Sequence, residues 1–202
     1  VDERIFHLLY GAQGGALTRV AAAFTIVGEG WVVFALLPLL LVRRRRAPTL
    51  ALIIVLAVTA GAVALLKLVV QRVRPCHAIA GVSCLWGDAP TDYSFPSGHA
   101  AGSFAFATFV VAVVFLAEEP RTRPAVRHAV AWVLVAAATC IALSRVYLGV
   151  HFPGDVAAGA CLGVVVGAVG ARVYLRRTRD GVRAETQARG QTQAHARTQQ
   201  QS

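Results

Sequence analysis

Methionine is absent from all 202 residues, and one lysine, Lys67, stands against nineteen arginines. Without methionine, nothing about a native start is read from Val1. Acidic side chains are also scarce, ten in all. Of these only Asp88, Asp92 and Asp155 flank the polar motifs described below, so no carboxylate cluster of the kind that holds Mg²⁺ accompanies them, and metal-independent chemistry without a cofactor is expected. No internal repeat is evident, and a single compact domain is expected over these 202 residues.

What is abundant is apolar. Hydrophobic residues make up 56% of the chain and mean hydropathy is +0.60, with repeated stretches near the length that crosses about 30 Å of hydrocarbon. The net charge of +10 would suggest a nucleic-acid partner in a soluble protein. Here the arginines cluster beside apolar runs, where membrane topology explains them, and nucleic acid is excluded as a partner.

The expected fold is all-α, a polytopic transmembrane bundle of five to six spanning helices with an active site at one membrane face. Five segments read as spans: 20 to 42, 49 to 70, 98 to 117, 125 to 143 and 154 to 175. Residues 3 to 19 alternate Phe6, Leu8, Leu9 and Leu17 with polar groups and read as interfacial. If the chain instead turns at Gly28-Glu29-Gly30, residues 5 to 27 form a sixth crossing. A cleaved signal peptide is not expected, because the first run is long, lacks a basic n-region and ends in Arg43 to Arg46, a stop-transfer pattern. Arg43 to Arg46, then Arg121, Arg123 and Arg127, then Arg172, Arg176, Arg177 and Arg179 follow alternate segments and mark one side as cytoplasmic. Residues 1–175 read as the membrane-embedded domain. Residues 176–202, rich in Arg, Gln, Thr, Ala and Gly, read as a disordered cytoplasmic tail.

Three polar clusters then fall together on the opposite, outer side. Lys67 and Arg74 are seven residues apart, about two helical turns, ahead of a helix-ending Pro75. Snorkelling to the interface is the simpler explanation for such cations, but these lie on the face that basic residues avoid. Pro96-Ser97-Gly98-His99 precedes an apolar run, as a helix start that offers unpaired backbone N–H groups and a positive dipole end to an anion. Gly98 allows close approach, Ser97 adds a hydroxyl donor, and His99 stands one step inside the helix; a plain helix cap is the alternative. Arg145 closes the fourth segment, Pro153 and Asp155 open the fifth, and His151 stands close enough for Asp155 to accept a bond from one ring nitrogen. That bond would fix the tautomer and free the other nitrogen for attack. Otherwise Asp155 is only an N-terminal helix charge. An ionisable pair this near hydrocarbon is costly without a function.

The order Lys67, six residues, Arg74-Pro75; Pro96-Ser97-Gly98-His99; Ser144-Arg145, five residues, His151, three residues, Asp155 resembles the full three-part signature of the type 2 phosphatidic acid phosphatase family. The resemblance spans residues 67 to 155. It implies a membrane lipid phosphatase whose catalytic core is shared with vanadium haloperoxidases and soluble acid phosphatases. By the same resemblance, Lys67, Arg74, Ser97, Gly98 and Arg145 would hold the phosphoryl oxygens. His151 would attack phosphorus, Asp155 would orient it, and His99 would protonate the leaving oxygen. The implied partner is a lipid phosphate in the bilayer of a bacterial-type inner membrane. The first candidate is undecaprenyl diphosphate, with phosphatidic acid and phosphatidylglycerol phosphate as competitors.

Two other classes fit less well. A transporter or channel places intramembrane charges mid-helix or on broken helices, whereas these collect at one interface. A haloperoxidase would hold vanadate in a similar pocket, yet a small bundle in lipid suits a lipid substrate. Of four cysteines, Cys140 and Cys161 fall within spans, while the spacing of Cys76 and Cys84 in the outer loop permits a disulfide or two free thiols.

Overall fold

Inward-facing residues recur three and four apart along the long helices, which gives each a buried stripe. From Arg43 to Val70 the buried positions are Thr49, Leu52, Val55, Thr59 and Val63. The computed structural model describes residues 2–11, 15–116 and 123–200, apart from the side chains of 31–33, 190 and 192–200. Over these residues all regular structure is helical. The order is α1 (Asp2–Leu9), α2 (Ala16–Val27), α3 (Trp31–Leu36), a 3₁₀ turn (Leu37–Leu41), α4 (Arg43–Val70), α5 (Pro75–Ala78), α6 (Gly98–Leu116), α7 (Pro124–Tyr147) and α8 (Pro153–Gln200). Among the described residues, α4, α6, α7 and α8 are long and apolar enough to cross a membrane, and they correspond to the last four expected spans. Arg121 falls among residues 117–122, outside the described part.

The most extensive interface joins α6 and α8. Gly159, Gly163 and Gly167, one per turn of α8, face the backbone at Ser97, Ala101 and Ala105, and a methyl group at any of them would overlap it. Small residues at four-residue spacing let two helices approach to backbone contact where hydrocarbon solvent gives no hydrophobic drive. Leu52, Val55, Ala105, Phe109 and Ala171 form one core, and Phe6, Val82, Ala100, Ala142, Val146, Phe152 and Val156 form another beneath the polar clusters.

The expected span over residues 20 to 42 is not one helix. α2 stops at Val27, a turn at Gly28–Gly30 follows, and Pro38 sits in the 3₁₀ turn. Two glycines and a proline, which lacks an N–H and crowds the preceding turn, account for the breaks. Nor do residues 5 to 27 run as one crossing, because α1 and α2 are separate. α1 packs on α7 and α8, with Phe6 fully buried against Tyr10 and Phe152. Residues 176 to 200 are helical where the sequence reading expects disorder. Ala, Arg, Gln and Glu favour helix, and extending an existing helix avoids the cost of nucleation. The side chains of 176–189 are exposed.

Candidate active site

The ends of α4, α6, α7 and α8 bring all three polar clusters together. α4 ends at Val70 because Gln71 turns left-handed, with φ 52°, and its N–H bonds Lys67 O at 3.0 Å. Arg74, the residue before a proline, is extended. Lys67 and Arg74 therefore do not share one helix face as their spacing suggests. They converge across the turn on Asp92, whose Oδ2 pairs with Lys67 Nζ and whose Oδ1 takes Arg74 Nη2 at 2.7 Å. Arg74 Nε also donates to Asp92 O at 2.9 Å. Burial works to raise the pKa of Asp92, but bonds and charge from Lys67 and Arg74 outweigh it and hold the carboxyl below its ordinary range.

His151 is 2% exposed and lies in the loop between α7 and α8, its backbone N–H bonded to Arg145 O at 3.2 Å. Its Nε2 lies 3.2 Å from Arg74 Nη1. A guanidinium only donates, so Nε2 presents its lone pair and the proton resides on Nδ1. Nδ1 lies 3.4 Å from Ser94 Oγ and 3.7 Å from Asp155 Oδ2. The second distance exceeds a hydrogen bond, so the expected direct bond between His151 and Asp155 is replaced by a bridge through Ser94. Asp155 Oδ2 accepts from Ser94 Oγ and from the Phe152 N–H at 2.9 Å, which leaves no close approach for the imidazole. Burial, with Arg74 and Arg145 nearby and Asp155 opposing, pushes the His151 pKa down to about 4, so the ring is neutral at pH 7.

Gly98 is the first residue of α6, as its motif suggests. Ser97 is fully buried and acts as the cap: Ala100 N–H reaches its Oγ at 3.5 Å and Ala101 N–H its O at 3.0 Å. Ser97 N–H donates to Asp155 O at 3.0 Å, tying α6 to α8. Arg145 is 8% exposed, and its Nη1 reaches Thr25 Oγ1 at 3.2 Å. Thr25 also bonds Ser144 Oγ at 3.0 Å. Arg145 Nε and His99 Nε2 are buried with no hydrogen-bond partner among the described residues. Orphaned donors and acceptors beside a gathered set of cations mark the place where an anion fits.

A cavity of about 600 Å³ starts at Lys67, Asp92 and His99 and descends between α4, α6 and α7 to Leu56, Phe106 and Leu134, midway along those helices. Gly28 and Glu29, from the break after α2, close one side. Arg74, Arg145 and His151 do not line it; Asp92 stands between the cavity mouth and Arg74, and Arg74 in turn meets His151.

The structure adds residues that the motif spacing does not reveal. Ser94 stands three residues ahead of Ser97, and nothing in the motif spacing marks it. Asp92 was legible as a loop acid but not as the common partner of two cations. Asp2 reaches the N-terminus of α8, where Gly154 N–H donates to its Oδ1 at 2.8 Å, a contact across 152 residues that no local pattern signals. Cys76 and Cys84 are free thiols in the structure.

The PAP2 superfamily model matches residues 48–179. The decaprenylphosphoryl-5-phosphoribose phosphatase of Mycobacterium tuberculosis is 34% identical over 140 residues, covering 69% of each chain. An undecaprenyl-diphosphatase of Sulfolobus acidocaldarius is 32% identical over 163 residues, 79% of this chain and 71% of its own. Of solved structures, LpxE of Aquifex aeolicus superposes with a TM-score of 0.68 at 28% identity, covering 85% of this chain and 94% of its own. A transmembrane PAP2-type phosphatidylglycerolphosphate phosphatase from Bacillus subtilis shares the fold, with a TM-score of 0.68 at 24% identity, over 84% of this chain and 82% of its own.

Proposed function

This chain belongs to the PAP2 superfamily of membrane lipid phosphatases, and on that premise we propose that it releases phosphate from a prenyl-chain lipid through a phosphohistidine at His151. The observation that carries the reading is the neutral, buried imidazole whose Nε2 lone pair faces Arg74, near a largely apolar cavity whose mouth is set by Lys67, Asp92 and His99. Nε2 attacks phosphorus, and the phosphoryl oxygens are held by Lys67, Arg74, Arg145 and the N–H groups that open α6 at Gly98. His99, on the cavity wall with Nε2 unpartnered among the described residues, protonates the leaving oxygen. Water then attacks the phosphohistidine, His99 takes its proton, and inorganic phosphate leaves. Asp155 holds the Nδ1 proton through Ser94. Cations supply the charge stabilisation in this reading, which needs no metal.

The substrate we favour is undecaprenyl diphosphate, cleaved to the monophosphate. Two relatives that cover more than two thirds of this chain, at 34% and 32% identity, carry names that specify a prenyl lipid, which supports the chain class, while shorter matches at 36% and 38% are named for a lipid phosphate and for lipid A. The Mycobacterium relative favours a second reading, a phosphate monoester on a prenyl-linked sugar. We place the site on the outer face of a bacterial-type inner membrane with residues 176–202 cytoplasmic, on the arginine pattern. The test is kcat/KM for phosphate release by purified protein on undecaprenyl diphosphate, phosphatidic acid and phosphatidylglycerol phosphate. Preference for the prenyl diphosphate, with vanadate inhibiting, is expected. Negligible release from it beside rapid turnover of a glycerolipid monophosphate would sink the prenyl assignment and leave the phosphatase class intact. Vanadate-dependent halide oxidation would instead mark a peroxidase.

A further inference from the structure

Asp155 is fully buried, yet His151 does not balance its charge, because that ring is neutral and 3.7 Å away. A buried carboxylate needs a cation or a full set of donors. The cation is Arg72, which the motif spacing passes over: Nη1 reaches Asp155 Oδ1 at 2.7 Å and Nη2 reaches Asp2 Oδ2 at 2.6 Å. Its guanidinium lies over the Phe152 ring, with Cζ 4.0 Å from the centroid, a cation–π contact that helps to hold the fork in place. Arg72 also acts through its main chain. Its carbonyl accepts the Ser94 N–H at 2.7 Å, and Ser94 Oγ is the donor on the other Asp155 oxygen. One residue therefore sets both oxygens of the carboxylate, Oδ1 directly and Oδ2 through Ser94.

Resting on the phosphohistidine reading above, we propose that Arg72 is a positioning residue for the reaction, holding Asp155 and Ser94 so that His151 keeps its proton on Nδ1 and its lone pair toward phosphorus. Both Nη atoms of Arg72 are taken by carboxylates, Asp155 Oδ1 and Asp2 Oδ2, whereas Arg74 meets His151 Nε2 directly, so the role assigned to Arg72 is to orient the nucleophile and not to hold phosphate. Asp2 completes the arrangement. It joins Arg72 to the Gly154 N–H at the start of α8, so α1 braces the same carboxylate from the far end of the chain.

The experiment compares wild type, Arg72→Gln, Arg72→Lys, Asp2→Asn and His151→Ala in full-length protein, on one lipid phosphate, with inorganic phosphate as competing ligand. Arg72→Gln is expected to lower kcat roughly 10- to 100-fold while KM and inhibition by phosphate change less than about threefold, the pattern for a group that orients another. Arg72→Lys restores the charge on one arm and should recover a large part of that loss. Asp2→Asn should fall between Arg72→Lys and wild type. If Arg72→Gln does not fold, the Lys and Asn variants carry the same comparison of kcat against KM. A rise in KM and weaker phosphate inhibition at constant kcat would overturn the proposal and make Arg72 a phosphate ligand. Wild-type kcat in Arg72→Gln beside an inactive His151→Ala would overturn it and leave the phosphatase reading standing. An active His151→Ala would remove the reading itself and the positioning role with it.

Discussion

Replacing His151 by alanine should reduce turnover by at least about 1,000-fold, the scale on which a nucleophile differs from its supporting residues. Rapid-quench trapping of a covalent phosphoenzyme, present in wild type and lost in His151→Ala, checks the assignment. His99→Ala should lower kcat by about 10²- to 10⁴-fold, and least for substrates with a good leaving group. The pKa of His151 gives a sign as well as a direction. In the folded protein it lies near 4, below its usual 6.5, so the neutral ring that the proposed attack requires is present at pH 7 and is lost as pH falls through about 4. The unfolded chain binds the extra proton from about 6.5 downward, so stability is full above that pH and declines between 6.5 and 4. Denaturant unfolding at pH 7 and pH 4.5 should show a smaller pH loss in His151→Gln than in wild type.

At the scale of the element, Asp92 and the α6–α8 pair make separate demands. Asp92 sits on Lys67 and Arg74, the cations proposed to hold the phosphoryl group, and on that reading it must release them for an anion to bind. Asp92→Asn should therefore strengthen inhibition by inorganic phosphate by about 3- to 10-fold, because a larger fraction of the protein is ready to bind. Weaker inhibition in that variant would show that Asp92 helps to hold the ligand. Gly163→Leu should lower stability by about 1–3 kcal/mol, since the side chain must push against the Ala101 and Ala105 backbone. Thermal unfolding in detergent measures it. The long helices are legible because their apolar runs are unbroken, and the candidate catalytic groups stand out because they flank those runs at fixed spacings. The path from Lys67 to Arg74 was not, since its left-handed turn falls on Gln71, a residue type that does not announce one. Ser94, Arg72 and Asp2 gain their roles from contacts spanning 57 to 152 residues, beyond the reach of local periodicity.

For the whole molecule, the arginine pattern yields a test of sidedness. With Cys76 and Cys84 replaced by serine, a membrane-impermeant maleimide applied to intact spheroplasts should label Asp88→Cys and spare Arg183→Cys, the order reversing in inverted vesicles. Equal labelling of both from outside would contradict the proposed orientation. The cavity between α4, α6 and α7 carries a different consequence, for how the protein is handled once removed from its membrane. An apolar space of about 600 Å³ that opens beside a polar mouth has no reason to stay empty or wet, and the alkyl chains of a solubilising detergent match it. Detergent should then act as a competitive inhibitor, with apparent KM rising with its mole fraction in mixed micelles while kcat is constant. Long-chain detergents should compete more strongly than short ones, and the competition should disappear in lipid nanodiscs.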